Sequence, residues 1–516
     1  MRKYNLIYEP WILVRDLLGN LKEFSILDIF FKAKEIAFIE DQSPLVTVSI
    51  YRFLLAILYR AFKGPCDIDE AKKMFKEGLS KEKIQNYLKE NENKFFLFDE
   101  DCPFSQISEK SFEESKLWTE LATEHNDANS KVLFDHIDMN SFKRISPQQA
   151  IKWILAIQTF ALGGGHSGQP GLPHRSDAPF ARLVMAIPLG KSLEDTFLFC
   201  LVPQNKDVLE NDLPVWERKI DTIEQLKNKS NRVANGYSDL YTWRSRSIRL
   251  PINDNCSIHK IAFTSGLKFD KGSINDPMVC YYDKKERKMH KLKDRGFWRD
   301  FDSLLPDKSK LAPAVIEHAH LLTKNILNRR PQSVIIFGQS ANKAKISFWR
   351  MEHFKLPPME YLKSMPFVTQ EEKEKEEGCL RTDIHKILKE AEDVSGTLEE
   401  ACEIYVKLNL NLDDLKKSKE KAKAFVKQMG VNRYYWSILE EKFHEILSDF
   451  KINCDPEDIY CRWLYFVYNA LEDTWNFHKK SILNSTRAIK AFIKASKLIN
   501  EKKYNLREKI KKLEEA

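Results

Sequence analysis

The stretch Ser146-Pro-Gln-Gln-Ala-Ile-Lys-Trp-Ile-Leu-Ala-Ile-Gln-Thr-Phe160-Ala-Leu-Gly163-Gly-Gly-His-Ser-Gly168-Gln-Pro-Gly171-Leu-Pro173 runs a strongly specified helix into the chain's densest cluster of glycines. Serine before proline is an N-cap followed by a first helical residue that needs no N–H donor, and Gln149, three residues after the cap, completes a capping box. Ile151, Ile154, Leu155, Ile157 and Phe160 then recur at helical spacing and anchor the helix in a core. It has to stop before Gly163. The glycine run therefore hangs from the C-terminal end of a buried helix.

That placement eliminates two readings of the run. Gly163-Gly-Gly-His-Ser-Gly168 formally matches GxGxxG. The dinucleotide fingerprint, however, needs a strand before it and a helix after it, so that a pyrophosphate meets a helix N-terminus. Here a helix precedes, and Gln-Pro-Gly-Leu-Pro follows, which begins a helix poorly. The run is also one residue short of the GxSxG elbow of serine hydrolases around Ser167, since position 169 is Gln, and that elbow likewise joins strand to helix. A serine hydrolase using Ser167 is kept as an alternative. Two other readings stay open from the residues alone. One is a flexible loop without a partner. The other is a loop whose missing side chains let main chain approach a target closely, such as a duplex minor groove only ~6 Å wide.

The rest of the chain bounds the class. It has 516 residues, 43% hydrophobic and 31% charged, which is enough for a multidomain globular protein with a sizeable core. Eighty-three Lys and Arg against 75 Asp and Glu leave a charge of +8, too dilute to name a partner but compatible with local basic surfaces. The nine cysteines form no CxxC and sit with no histidine at metal-ligand spacing, so neither a metal nor a cofactor is expected, and reduced thiols suit a cytoplasmic protein. The N-terminus carries no signal-peptide pattern, and Val46–Phe62, interrupted by Arg52 and Arg60, reads as a buried helix ending at Lys63-Gly64 rather than a membrane span.

Up to about residue 357, helices alternate with strand-like runs such as Phe197–Val202, Val279–Tyr282 and Ser333–Phe337. After Pro357-Pro358 comes a charged stretch, and beyond Gly378 glycine and proline almost vanish. The expected fold is α+β: a mixed, irregular α/β domain over 1–357, a linker over 358–378, and a helical, four-helix-type bundle over 379–516. In the last long helix Ile482, Ile489, Phe492, Ile493 and Ile499 are expected to form one face. Arg487, Lys490, Lys494 and Lys497 fall on the opposite face, and no acid lies between Trp475 and Asn500. That stripe is either a solvated face or a phosphate contact. Arg244, Arg246 and Arg249 read as a solvated strand edge or a contact with RNA or a subunit. Trp298, Phe348 and Trp349 read as core.

Several blocks in a fixed order resemble one family. They are Asn5-Leu-Ile-Tyr-Glu-Pro-Trp11-Ile-Leu-Val-Arg15, Phe96-Leu-Phe-Asp-Glu-Asp-Cys-Pro-Phe-Ser105, the glycine run, Gly236-Tyr-Ser-Asp-Leu-Tyr-Thr-Trp-Arg-Ser-Arg246 with Ile248-Arg249-Leu250, Asp276-Pro-Met-Val, Trp298-Arg-Asp-Phe301 and Ala344-Lys-Ile-Ser-Phe-Trp-Arg350. Together they resemble the CasA-type large subunit of the type I-E CRISPR Cascade complex. The resemblance implies a non-enzymatic subunit, without a catalytic residue, that recognises a protospacer-adjacent motif in double-stranded DNA and starts guide RNA pairing. It places Gly163, Gly164 and Gly165, with His166 and Ser167, against the minor groove. It makes Asn342-Lys343-Ala344 a wedge, offers Lys268 or Lys271 as a lysine finger, and matches Phe134-Asp135-His136 to a loop touching the CRISPR RNA. It further implies contact of the basic stripe with the displaced strand, neighbouring backbone, small and RNA-end-capping subunits, and a recruited nuclease-helicase, with no membrane. A pure assembly scaffold is the second alternative.

Overall fold

The computed structural model describes residues 4–108, 112, 116–122, 144–164, 172, 174–219, 222–228, 232–251, 257–270, 274–283, 288–306, 311–324, 326–358, 380–412, 416–452, 454–480, 482 and 485–515. The fold is α+β, as the residue pattern implies. Two compact units divide the chain: residues 1–293 with 308–354, and residues 294–307 with 355–516. The sequence boundary at 357 assigns 294–307 to the first unit. In the structure this segment belongs to the second, because Trp298 and Phe301 insert their rings against Phe443, at 5.0 and 5.7 Å between centroids. A composition boundary cannot detect an insertion that buries two aromatic rings elsewhere.

The first unit is built on the helix Pro44–Phe62, in which every residue from Leu45 to Tyr59 is buried. It ends as its sequence requires, with Lys63 in the left-handed region closing the last turn. It begins at Pro44, earlier than the apolar run suggests, and at 19 residues it is long and apolar enough to cross a membrane by length and composition, yet most of it is buried inside the unit. Arg52 explains how a cation fits there. Its guanidinium is sandwiched between the rings of Phe180 at 3.7 Å and Tyr241 at 4.0 Å, and it pairs with the buried carboxylate of Asp276 at 3.0 Å. Burial drives the Asp276 carboxyl above its ordinary range, and the Arg52 charge opposes that shift. Around this helix pack the capped helix Pro147–Phe160 and the short helix Tyr237–Tyr241.

Three small three-stranded sheets complete the unit among the described residues, with one further strand pair, Tyr281–Asp283 and Lys288–Met289. Ile12–Asp16 lies between Leu21–Phe24 and Ile36–Ile39; Lys260–Ser265 lies between Lys116–Leu117 and Arg246–Arg249; and Ser333–Asn342 lies between Val184–Leu189 and Lys345–Lys355. In the last sheet Ser333 pairs with Leu189 and Gly338 with Val184. Of the three strand-like runs, Ser333–Phe337 is a strand extending to Asn342, and Val279–Tyr282 is reduced to a bridge at Val279 and the strand Tyr281–Asp283. Phe197–Val202 is instead the end of the helix Leu193–Cys200. Ser192 caps it through the Asp195 N–H, and all eight of its residues are buried, so no periodicity marks it as helical. Phe348 and Trp349 are only half-buried, because Lys345–Lys355 is an edge strand with one face open. Trp298 is core, as expected.

In the second unit, five helices follow among the described residues: Leu380–Leu410, Lys416–Met429, Val431–Asp449, Pro456–Lys480 and Thr486–Glu514. The last packs chiefly on the first. Its buried face is Ala488, Ala491, Ala495, Ile499, Leu506 and Ile510, whereas Ile489 and Ile493 are 48% and 59% exposed. Of the apolar face seen in the sequence, Ile499 is buried, and close helix packing otherwise selects the small residues beside it. One buried acid is shared across the bundle: Glu390 accepts from Lys509 at 2.6 Å, Tyr460 at 3.2 Å and Lys502 at 3.4 Å.

Arg52 offers a direct check of the first unit. Arg52→Met leaves Asp276 buried without its cation and is expected to destabilise the protein by about 3–5 kcal/mol. Thermal unfolding measures this, and a loss well below that range contradicts the structural role given to the pair.

Candidate nucleic-acid interface

The helix Pro147–Phe160 carries the predicted capping box in full, with Ser146 accepting from Gln149 N–H and the Gln149 side chain accepting from Ser146 N–H. At its other end the chain leaves helical geometry at Ala161. There it pairs with the returning segment that follows the glycine loop. Phe180 N–H donates to Thr159 O, Ala178 N–H to Ala161 O at 2.7 Å, and Gly164 N–H to Arg175 O at 2.9 Å. Residues 159–164 and 175–180 are thus two feet bonded side by side. Gly163 and Gly164 stand at the top of one foot, while Gly165, His166 and Ser167 lie outside the described residues.

Both glycines are sterically required. A Cβ on Gly163 would stand 2.7 Å from Asp177 N and 2.9 Å from the Ser176 carbonyl carbon, which are main-chain atoms that cannot swing away. Gly164 has φ +128°, and a Cβ there would stand 2.7 Å from the Ala344 Cβ. This second contact joins two parts of the chain that lie 180 residues apart. Ala344 belongs to the turn Lys343-Ala344 between the strands Ser333–Asn342 and Lys345–Lys355, so the predicted wedge is the tip of a hairpin. Lys343 takes the left-handed conformation, φ 55°, that lets the chain reverse within two residues. Asn342, Lys343 and Ala344 are all exposed.

Hydrogen bonds hold the two parts together. Gly163 N–H donates to Asp177 Oδ1 at 2.6 Å, and Asp177 Oδ2 accepts from Arg182 Nε at 2.9 Å. The other two nitrogens of Arg182 donate to the Ala341 carbonyl, at 3.1 Å, and to the Lys343 carbonyl. Below them, Arg246 donates to Leu162 O at 2.8 Å and Ser176 O at 3.0 Å, one carbonyl on each foot. Arg246 is 2% and Arg244 4% exposed, so neither is the solvated edge nor the RNA-facing pair that the sequence suggests. They are internal donors to main chain. Burial first, and the neighbouring Arg175 second, pull the Arg246 guanidinium well below the ordinary arginine range. Arg249 is half-buried and donates to Ser108 O at 2.8 Å.

The other predicted residues are dispersed. Lys268 is exposed, just beyond the strand Lys260–Ser265, and its carbonyl accepts from Arg232 N–H; its side chain takes no part in the bonds joining loop and hairpin. Lys271 and the segment Phe134-Asp135-His136 lie outside the described residues. In the second unit Arg487, Lys490, Lys494 and Lys497 are all exposed on the last helix, interleaved with the exposed Ile489 and Ile493. Among the described residues no three His, Cys, Asp or Glu side chains gather where they could hold a metal ion. Sequence reasoning missed Asp177 and Arg182. Their spacing of five residues follows no helix or strand period, and only the folded feet bring both to the hairpin.

Gly163 and Gly164, neither of which accommodates a side chain, thus stand braced against an exposed hairpin tip. The family described as CRISPR-associated protein Cse1 matches residues 5–474, and the chain belongs to this family. Its resemblance to the CasA-type large subunit of type I-E systems is confirmed. The chain is 28% identical over 505 residues to the CRISPR-associated protein CasA/Cse1 of Thermus thermophilus, covering 95% of each. The crystal structure of Thermus thermophilus CasA superposes with a TM-score of 0.81 at 25% identity, over 98% of this chain and 100% of that one. A chain of a CRISPR RNA-guided surveillance complex shares the fold, with a TM-score of 0.70 at 17% identity, over 96% of this chain and 99% of that one. The family match ends before the last helix, so the basic stripe lies beyond it.

The contact between loop and tip has a stability consequence. Gly164→Ala combines a strained φ with the Ala344 clash and is expected to cost about 1–3 kcal/mol. Adding Ala344→Gly removes the clash but not the strain, so part of the loss returns in thermal unfolding. A Gly164→Ala variant as stable as the parent contradicts the geometry.

Proposed function

We propose that this chain is the large subunit of an RNA-guided DNA surveillance complex and that it reads a short flanking motif on duplex DNA without catalysing a reaction. On this reading the glycine loop lies in the minor groove, and the tip Asn342-Lys343-Ala344 enters the adjoining base step and starts strand separation. Lys268 or Lys271 reaches the same groove, Phe134-Asp135-His136 meets the end of the guide RNA, and a nuclease-helicase is recruited once the strands have parted.

The observation that carries the proposal is the 2.7 Å approach that a Gly164 Cβ would make to Ala344, which puts the start of the loop beside the tip. In a guide-directed system base pairing reads the target sequence, so protein need read only a short motif and open the duplex. Minor-groove donors and acceptors are degenerate, so a main-chain reader there tolerates related motifs. Unstacking one step costs about a few kcal/mol, which protein contacts and the new heteroduplex offset.

The exposed stripe Arg487, Lys490, Lys494 and Lys497 supports a second contact, with the displaced strand. Phosphate neutralisation is salt-dependent, and for a single strand each contact adds about 0.7 to the slope of log affinity against log salt. Replacing all four by Gln in the reconstituted complex is expected to lower that slope by about 3. An unchanged slope assigns the stripe to a protein neighbour instead.

The central reading is tested with a library of target duplexes randomised beside the guide-matched segment. The complex should select a narrow set of motifs. Lys343→Gly, which keeps the turn but removes its side chain, should weaken binding to duplex targets and spare targets already mismatched at the first paired positions. If Lys343→Gly alters only subunit assembly, the chain is a scaffold. If motif selection is absent altogether, the groove-reading assignment is wrong.

A further inference from the structure

Asp177 and Arg182 are absent from the sequence signals, yet they are the bonded link between the glycine loop and the hairpin tip. Asp177 receives the Gly163 N–H on one oxygen and Arg182 on the other. The planar guanidinium then directs its remaining donors to two carbonyls of the hairpin, Ala341 and Lys343. The side chains are 28% and 32% exposed, and an ion pair open to water to that degree contributes little to stability. The geometry, by contrast, is specific. A fork of fixed shape bonded at three places sets the distance and angle between the parts it joins, which a lysine could not do. The Lys343 carbonyl is one of those three places, so the clamp grips the residue at the apex of the turn.

We infer that Asp177 and Arg182 are a positioning pair that makes motif reading and duplex opening a single event. The inference rests on the proposal that loop and tip face duplex DNA. Displacement of the loop by a poorly fitting motif is passed through Gly163, Asp177 and Arg182 to Lys343, so the tip is presented to the base step only when the loop is seated. Neither residue touches DNA in this account; both act through Gly163 and Lys343.

The test uses the reconstituted complex carrying the full chain, with a 2-aminopurine base at the first unpaired target position as the reporter of opening. Arg182→Gln keeps bulk but loses the fork, and Arg182→Lys keeps charge with a single donor centre. Both are expected to assemble, and their thermal unfolding checks the fold. Opening at the preferred motif should fall about tenfold in Arg182→Gln, the scale of losing hydrogen bonds from a charged group. The preference between good and poor motifs should shrink with it, and Arg182→Lys should recover only part. The decisive comparison is with Lys343→Gly. If Arg182 acts through the tip, Arg182→Gln has no further effect on opening in that background. Additive losses, or normal opening in Arg182→Gln, overturn the inference while leaving the duplex-facing reading standing. If Lys343→Gly alone changes neither opening nor motif preference, the duplex-facing reading fails, and the clamp fails with it.

Discussion

A buried arginine serving main-chain carbonyls is the constraint on which the site depends. Where the helix ends at Phe160, the carbonyls of its last turn and of the following residues have no helical partners. Arg246, inserted from a neighbouring strand, donates to Leu162 O, Ser176 O and its own neighbour Ser245 O. Gln158, still on the helix, exchanges hydrogen bonds with the Arg246 main chain in both directions. Taking a guanidinium out of water is costly, and it persists because several acceptors converge on it. Arg246 thus ties the two feet of the glycine loop together at Leu162 and Ser176.

What could be read in the sequence was what local chemistry dictates. The capping box at Ser146, the stop before Gly163 and the long helix closed by Lys63 all follow from residues close in the chain, and the structure has each of them. What could not be read was tertiary. A run of buried residues from Leu193 to Cys200 has no period to distinguish helix from strand. Arginines spaced along a strand look like a solvated edge until the helix that buries them is known. In the last helix the eye follows isoleucines, while the packing follows alanines at 488, 491 and 495, leaving Ile489 and Ile493 outside. Of the site itself, the two halves were legible as separate segments. Their meeting through Asp177 and Arg182 was not, because nothing in the chain marks a contact between the Arg182 guanidinium and carbonyls 159 and 161 residues away.

On the proposed reading, binding is the task of this surface. The two obligatory glycines contribute backbone, and Asp177 and Arg182 beside them are already committed to one another and to main-chain groups. On the proposed reading, discrimination comes from shape: whether a groove admits a loop without side chains, and whether a two-residue turn can follow it between base pairs. The basic face of the last helix is a different kind of surface, exposed, mixed with apolar side chains and carried by the other unit. On the same reading it makes a sequence-independent contact held by charge.

The central claim is that the glycine loop and the hairpin tip form one duplex-reading surface. The most direct measurement is a structure of the assembled complex on a target duplex. The account predicts the loop rising from Gly163 and Gly164 within the minor groove beside the guide-matched segment, Lys343 at the adjoining base step, and the Asp177–Arg182 link intact between them. Finding loop and tip on different faces of the duplex, or both turned toward protein neighbours, would contradict it.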